Sequence, residues 1–222
     1  MKTSAYLSDR VQKILLICAF PASLLKIGTD ILAGFLWEGY NFTSRSISDL
    51  SAIGAPTRPL VVPLDLMADI FLTAFALGVW SLAGGNRALR ITAGMLIGNA
   101  VFLLIGVFFP FHLNEAISSV ANTTNTIIIG VSVLFLLLAI GFGSAAYRNW
   151  FRFYSIGTFL VFLVEDIWAT WATPFVLAGQ RGPLVGIQER TMLYGYLLWV
   201  VVLAVVLLRS KRLYSSMNGI DT

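Results

Sequence analysis

Cysteine and histidine are almost missing from this chain of 222 residues, which has one of each, Cys18 and His112. A single cysteine excludes an internal disulfide bond and any zinc or iron–sulfur site built on several cysteines. One histidine excludes a histidine-rich zinc site, and we expect neither a bound metal nor a cofactor. His112, with Glu115 close by, could act as a lone acid–base group, but a loop histidine at the membrane interface is the simpler interpretation.

Charge is also scarce, since 12% of the residues are charged and 58% are hydrophobic. A soluble domain has about a quarter charged residues. Long apolar stretches account for the difference, which indicates a membrane protein. The net charge of +4 comes from basic residues at the ends of these stretches, so we expect no nucleic-acid partner.

Six segments reach the length of about 20 apolar residues that a transmembrane helix needs. Backbone groups in lipid must bond within their own segment, so the segments are expected to be helices. The sequence therefore predicts an all-α fold, a six-transmembrane-helix bundle in a single membrane domain over residues 1–222. The predicted helices cover about 14–37, 60–82, 91–111, 127–147, 153–178 and 191–208.

The distribution of Lys and Arg predicts the orientation. Ten of these residues fall on one side of the six segments: Lys2, Arg10, Lys13, Arg87, Arg90, Arg148, Arg152, Arg209, Lys211 and Arg212. Four fall on the other side: Arg45, Arg58, Arg181 and Arg190. Cytoplasmic loops carry the excess of positive charge, so both termini are expected inside a plasma or inner membrane.

The outer loop 38–59 is predicted to contain a short surface helix. Ser46 and Asp49 form a capping-box pattern, and Gly54 with Pro56 ends the segment. The helix could be a lid over an outer cavity or a turn that leads the chain into the second span, and both can hold. A second motif, Gly94 and Gly98, allows close helix contact. Packing within the bundle is the simpler interpretation, and a homo-oligomer stays open.

Charged residues inside three spans predict a polar site. Charges in a bilayer are costly and usually face a cavity or a partner. At 1.5 Å per residue these groups lie roughly 7–18 Å below the outer boundary. Glu165 and Asp166 are adjacent, so at most one is expected to face a shared cavity. The expected ligand-binding residues are Lys26, Asp30, Asp65, Asp69 and Glu165 in the spans, with Arg45, Ser48, Asp49 and Arg58 from the loop.

The excess of carboxylates over Lys26 leaves three interpretations open beside a structural polar core. The first is an acid-rich outward-facing cavity that binds a small cationic or amphipathic molecule or a lipid headgroup. The second is an enzyme that acts on membrane lipid, with a carboxylate as general base and Lys26 as electrostatic stabiliser. The third is a proton- or cation-coupled carrier, which the lack of an internal repeat disfavours.

Three segments resemble a known family: Ser46-Ile-Ser-Asp-Leu-Ser-Ala-Ile-Gly-Ala-Pro56, Phe108-Phe-Pro-Phe-His112 and Gln188-Glu-Arg-Thr191 with Gly195-Tyr-Leu-Leu-Trp199. They are similar to the bacterial and archaeal membrane family called domain of unknown function 998, over about residues 14–208. The first outer loop more weakly resembles that of the damage-regulated autophagy modulators and lipid-anchor remodelling proteins. The resemblance implies a six-helix fold and no known activity.

Overall fold

The computed structural model describes residues 8–148, 150–171 and 184–218. In these ranges an all-helical fold is confirmed, with one isolated bridge between Ile53 and His112 as the extended pairing. The helices are α1 (Asp9–Ile17), α2 (Ala19–Leu36), α3 (Ile47–Ser51), α4 (Arg58–Leu82), α5 (Arg87–Gly106), α6 (Val120–Ala146), α7 (Trp150–Trp171) and α8 (Val185–Asn218).

Five helical segments of the described chain are long and apolar enough to cross a membrane. These are α1 joined to α2, then α4, α5, α6 and α8. The helix α7 covers most of the predicted fifth span and has 22 residues, but it is not among the five. The rest of that predicted span, 172–178, lies outside the described residues, as does Arg181.

The long helices pack in a ring that follows the order of the chain. Helix α2 contacts α4 and α8, α5 contacts α4 and α6, and α7 contacts α6 and α8. Helix α1 continues α2 and packs on α4 and α8. A site that includes Glu165 together with Lys26 and Asp69 implies that the fifth span lies against the first two. The arrangement corrects this expectation, because α7 contacts α6 and α8 rather than α2 and α4.

Several helix ends differ from the predicted bounds for local reasons. The first span begins at Asp9, where Ser8 accepts a hydrogen bond from Val11 N, and is interrupted at Cys18. Pro21 follows the interruption and has no N–H to continue the helical ladder. Helix α6 begins at Val120 rather than 127 because Ser119 caps it. Helix α8 begins at Val185 rather than 191. Its first turns therefore include Glu189 and Arg190, which bond to Ile47 and Asp30.

The two ends of the ring are packed differently. A large apolar core fills the end remote from α3, and its biggest fully buried side chains are Trp199, Phe75, Phe151 and Phe162. Gly98 belongs to the same packing, because a Cβ atom there would lie 2.6 Å from the Phe135 ring of α6. Among the described residues, the end that carries α3 has a small apolar cluster of Ala33, Leu50 and Val61. Room for polar groups is therefore left at the α3 end.

The short helix α3 is present, but the prediction that it lies on the surface is wrong, because none of its residues is exposed and Asp49 and Leu50 are buried. It is held by hydrogen bonds on both sides. Its N-cap Ser46 accepts a hydrogen bond from Asp49 N at 3.2 Å, and Thr57 donates to Leu50 O at 2.8 Å. Beyond it, Ile53 N donates to Phe111 O at 2.7 Å and Ile53 O accepts from Leu113 N at 3.1 Å. The loop around α3 is thus bonded to the loop between α5 and α6.

Candidate functional site

An ion cluster joins α2 to α4 below α3. Lys26 Nζ lies 2.9 Å from Asp69 Oδ1 and 3.4 Å from Asp65 Oδ1. Asp65 and Asp69 are four residues apart, so they share the helix face that meets Lys26. The side chains of Lys26 and Asp69 are 12% and 4% exposed, whereas that of Asp65 is 27% exposed. Lys26 therefore has two carboxylates within 4 Å.

A cavity of about 150 Å³ opens beside this cluster. Its charged lining residues are Lys26, Arg58, Asp65 and Asp69, two cations and two carboxylates. Ser48 and Ser51 line it from α3, and Asn125 and Ser132 from α6. Among the described residues that line this space the charges balance, so the expectation of an acid-rich cavity is wrong for it. We call this space the polar cavity.

A second cavity of about 270 Å³ adjoins the polar cavity and shares five lining residues with it: Lys26, Ser48, Leu103, Ile129 and Ser132. Most of its remaining wall is apolar and includes Leu72, Val133, Leu136, Met192 and Leu193. Its polar residues Asn99, Ser132 and Tyr196 bond one another: Asn99 Nδ2 donates to Ser132 O at 2.9 Å, and Tyr196 donates to Asn99 Oδ1 at 3.3 Å. We call this space the apolar chamber.

Arg190 is the centre of a separate group of contacts. Its guanidinium binds Asp30 through two bonds, Nη2 to Oδ1 at 2.7 Å and Nε to Oδ2 at 3.0 Å. Its Nη1 donates to the carbonyl oxygens of Phe42, Arg45 and Gly186 at 2.8, 3.2 and 3.0 Å. The guanidinium thereby holds the chain before α3 against α2 and α8. We call these contacts the Arg190 cluster.

Two tyrosines complete the Arg190 cluster. Tyr40 accepts a bond from Arg190 Nη2 at 2.8 Å and donates to Ser46 O at 2.8 Å. Burial raises the pKa of the Tyr40 phenol, and this outweighs the lowering effect of the Arg190 guanidinium. The phenol therefore keeps its proton at physiological pH and remains a donor. Tyr194 donates to Asp30 Oδ2, so both Asp30 oxygens are used.

The structure brings together only part of the predicted set. Five of the predicted residues, Lys26, Ser48, Arg58, Asp65 and Asp69, line the polar cavity. Asp30 borders a smaller space with Lys26 and Asp65, but its carboxylate is taken by Arg190 and Tyr194.

The other charged residues considered for the site lie elsewhere. Glu165 and Asp166 are on α7 and do not line either cavity among the described residues; Glu165 O accepts a bond from Gln188 at 2.7 Å. Arg45 stacks over the Trp37 ring at 4.9 Å and lines a surface cavity. Asp49 is buried in α3. Counting residues along a helix predicts how deep a charged side chain lies, but not towards which neighbouring helix it points.

The sequence patterns do not predict that Glu189 and Arg190 contact the loop around α3. Glu189 Oε2 accepts the Ile47 N–H at 2.7 Å, which fixes the first turn of α3, and it also lines the apolar chamber. In the sequence these two adjacent charges come directly before a long apolar segment, a pattern that indicates the edge of the last span. Glu189 is 142 residues from Ile47 in the sequence, so no local pattern indicates this contact.

The ring of long apolar helices defines a multi-pass α-helical membrane protein. A family model described as Protein of unknown function (DUF998) matches residues 21–206. The chain therefore belongs to this family, as the resemblance in its loops implied. Similarity to the damage-regulated autophagy modulators is not shown. Neither a curated protein nor a solved structure matches the chain.

Proposed function

We propose that this protein crosses the cell membrane six times, with α7 as the fifth span and both termini in the cytoplasm. It binds an amphipathic molecule at the outer side of the bundle, with the polar end in the polar cavity and the apolar part in the apolar chamber. Ligand sites are typically concave and mostly apolar with a few convergent polar groups. The two adjoining cavities have this composition.

The observation that carries the proposal is the join between the two cavities. Lys26, Ser48 and Ser132 border both, so the two spaces are adjacent, and we infer that one molecule occupies both. A purely structural ion cluster accounts for Lys26, Asp65 and Asp69 but not for an apolar chamber beside it. Interiors are normally packed with few voids larger than a water molecule. Adjacent polar and apolar spaces of this kind favour an amphipathic ligand.

Native mass spectrometry of the protein in mild detergent tests the proposal. The wild type is expected to retain an amphipathic molecule. Leu103→Trp should lose it, because Leu103 lines both cavities, whereas Leu134→Trp should keep it, because Leu134 is 55% exposed on the ring surface. Leu103→Ala, which adds space, should also retain the molecule. Equal occupancy in the two tryptophan variants, or none in the wild type, would overturn the proposal.

A second candidate is an enzyme that acts on the bound lipid. The observation that favours it is that the Ser48 and Ser51 hydroxyls line the same cavity as two carboxylates. In that case the mass of the retained molecule should change during incubation of the wild type. Ser48→Ala should keep the molecule bound and unchanged. A mass that is constant in the wild type contradicts the enzyme and leaves the binding protein.

A further inference from the structure

Helix α4 presents an ordered series of side chains to the two cavities. Arg58, Asp65 and Leu72 are spaced seven residues apart, so they lie on one face of the helix. Arg58 is at the α3 end, Asp65 is about 10 Å further along the axis, and Leu72 about 10 Å beyond that. Arg58 and Asp65 line the polar cavity and Leu72 the apolar chamber. From the α3 end of α4 inward, the side chains that face the cavities are therefore a cation, an anion and an apolar residue.

The pairing within the cluster leaves one charge of each sign for a ligand. Lys26 and Asp69 form the shorter and more buried pair. Asp65 makes the longer contact with Lys26 and is the more exposed carboxylate. Arg58 is half-buried and donates from Nη1 to Ser51 O, with its other N–H groups available by the chemistry of a guanidinium. A ligand with only a positive charge would leave Arg58 without an opposite charge, and a ligand with only a negative charge would leave Asp65 without one.

The other helices show the same direction from polar cavity to apolar chamber. On α5 and in the loop directly after it, the polar cavity is lined by residues between 102 and 110, and the apolar chamber is lined by Asn99 and Leu103 of α5. On α6 the corresponding residues are 125–132 and 129–136. Helices α4 and α6 run away from α3 and α5 runs towards it, so the apolar chamber lies deeper on all three. A bound chain would therefore extend towards the core.

We propose that the ligand is a zwitterionic amphiphile whose ammonium group lies between its apolar chain and its anionic group. The anionic group, a phosphate, sulfonate or carboxylate, binds Arg58, the ammonium binds Asp65, and the chain follows Leu72 into the apolar chamber. This inference rests on the proposed function and adds the charge and order of the head. A chain-free zwitterion has the same head chemistry, so the test includes one.

The experiment compares probes with one chain and different heads. The purified full-length protein in dodecyl maltoside is titrated with small amounts of dodecyl sulfobetaine, dodecyltrimethylammonium, dodecyl sulfate and dodecylphosphocholine, and bound probe is counted by native mass spectrometry. In the sulfobetaine the ammonium is next to the chain, and in the phosphocholine the order is reversed. The chain-free probe is trimethylammonio-propanesulfonate. Dodecyl sulfobetaine should bind about tenfold or more tightly than the singly charged probes, as expected for one unmatched charge.

Two charge variants give reciprocal changes. Asp65→Asn should shift the preference towards dodecyl sulfate, and Arg58→Met should shift it towards dodecyltrimethylammonium. The controls Glu115→Gln and Arg87→Met change exposed residues and should leave the order of the probes as in the wild type. If one variant fails to fold, the other variant and the comparison of the two head orders still test the proposal.

The outcomes separate the two proposals. Tighter binding of dodecylphosphocholine or of a singly charged probe overturns the zwitterion but keeps an amphiphile site. If the chain-free probe binds as tightly as dodecyl sulfobetaine, the inference that the ligand carries an apolar chain is overturned. Binding of no probe, together with no retained molecule after purification, overturns the proposed function as well.

Discussion

Arg190 and Asp30 form a two-bond ion pair between α8 and α2, with Nη2–Oδ1 and Nε–Oδ2 distances of 2.7 and 3.0 Å. The side chains are 10% and 1% exposed. The same guanidinium lies 4.8 Å from the Phe42 ring centre. The first and last spans are thus joined by a group that also fixes the chain leading to α3.

Arg190→Lys should destabilise the protein strongly. An ammonium group cannot make the two-point contact with Asp30 and also reach the loop carbonyl groups. Each lost hydrogen bond of a charged group costs about 1.5–3 kcal/mol, so the melting temperature in detergent should fall by several degrees or more. The control Arg87→Lys changes an exposed residue at the start of α5 and should melt like the wild type. Equal melting of both variants would show that the Arg190 cluster has no part in stability.

Gly186→Ala should disturb the same cluster through the backbone. A Cβ atom at this position would lie 2.3 Å from the carbonyl oxygens of Phe42 and Arg45, and Gly186 N donates to Thr43 O at 3.0 Å. Overpacking of this kind costs about 1–3 kcal/mol. Gly130→Ala is the matched control, because nothing lies within 4 Å of its Cβ position and alanine favours a helix. Thermal unfolding should separate the two; a stable Gly186→Ala would contradict the packing described.

Asp69→Asn should reduce retention of the bound amphiphile more than Glu115→Gln. The first change leaves Lys26 with Asp65 alone, at a cost of about 1–3 kcal/mol. The second affects an exposed pair with His112 at 2.9 Å, which contributes little. Retained ligand and melting temperature are measured for both. A Lys26→Met/Asp69→Leu double variant should recover stability, and it should also retain the ligand because Arg58 and Asp65 are unchanged; loss of the ligand at recovered stability would show that the pair itself contacts the ligand.

The orientation can be read from cysteine labelling. In a Cys18→Ala background, Ser118→Cys in the loop between α5 and α6 should react with a membrane-impermeant maleimide in whole cells. Gly85→Cys, between α4 and α5, should react only after permeabilisation. Both positions are exposed, so a difference reports the side of the membrane. The opposite pattern would place α3 and the polar cavity in the cytoplasm.

Composition and segment length were sufficient to predict an all-α membrane protein and the positions of most of its helices. Lipid leaves a long apolar segment no alternative to a helix, so this part depends on local sequence alone. The capping pattern of Ser46 also predicted α3, because a cap involves only residues three positions apart. The i, i+4 spacing of Asp65 and Asp69 predicted their shared face for the same reason.

Which charge meets which partner was decided by the tertiary structure. Depth along a helix follows from counting residues, but the direction around a ring depends on how the helices pack. The ring places α8 beside α2, so Arg190 takes Asp30, and it places Glu165 on α7 away from Lys26. The sequence by itself determined a polar layer in an apolar helical protein; only packing determined that Lys26, Asp65, Asp69 and Arg58 share one cavity, because ion pairs form across helices that are distant in sequence.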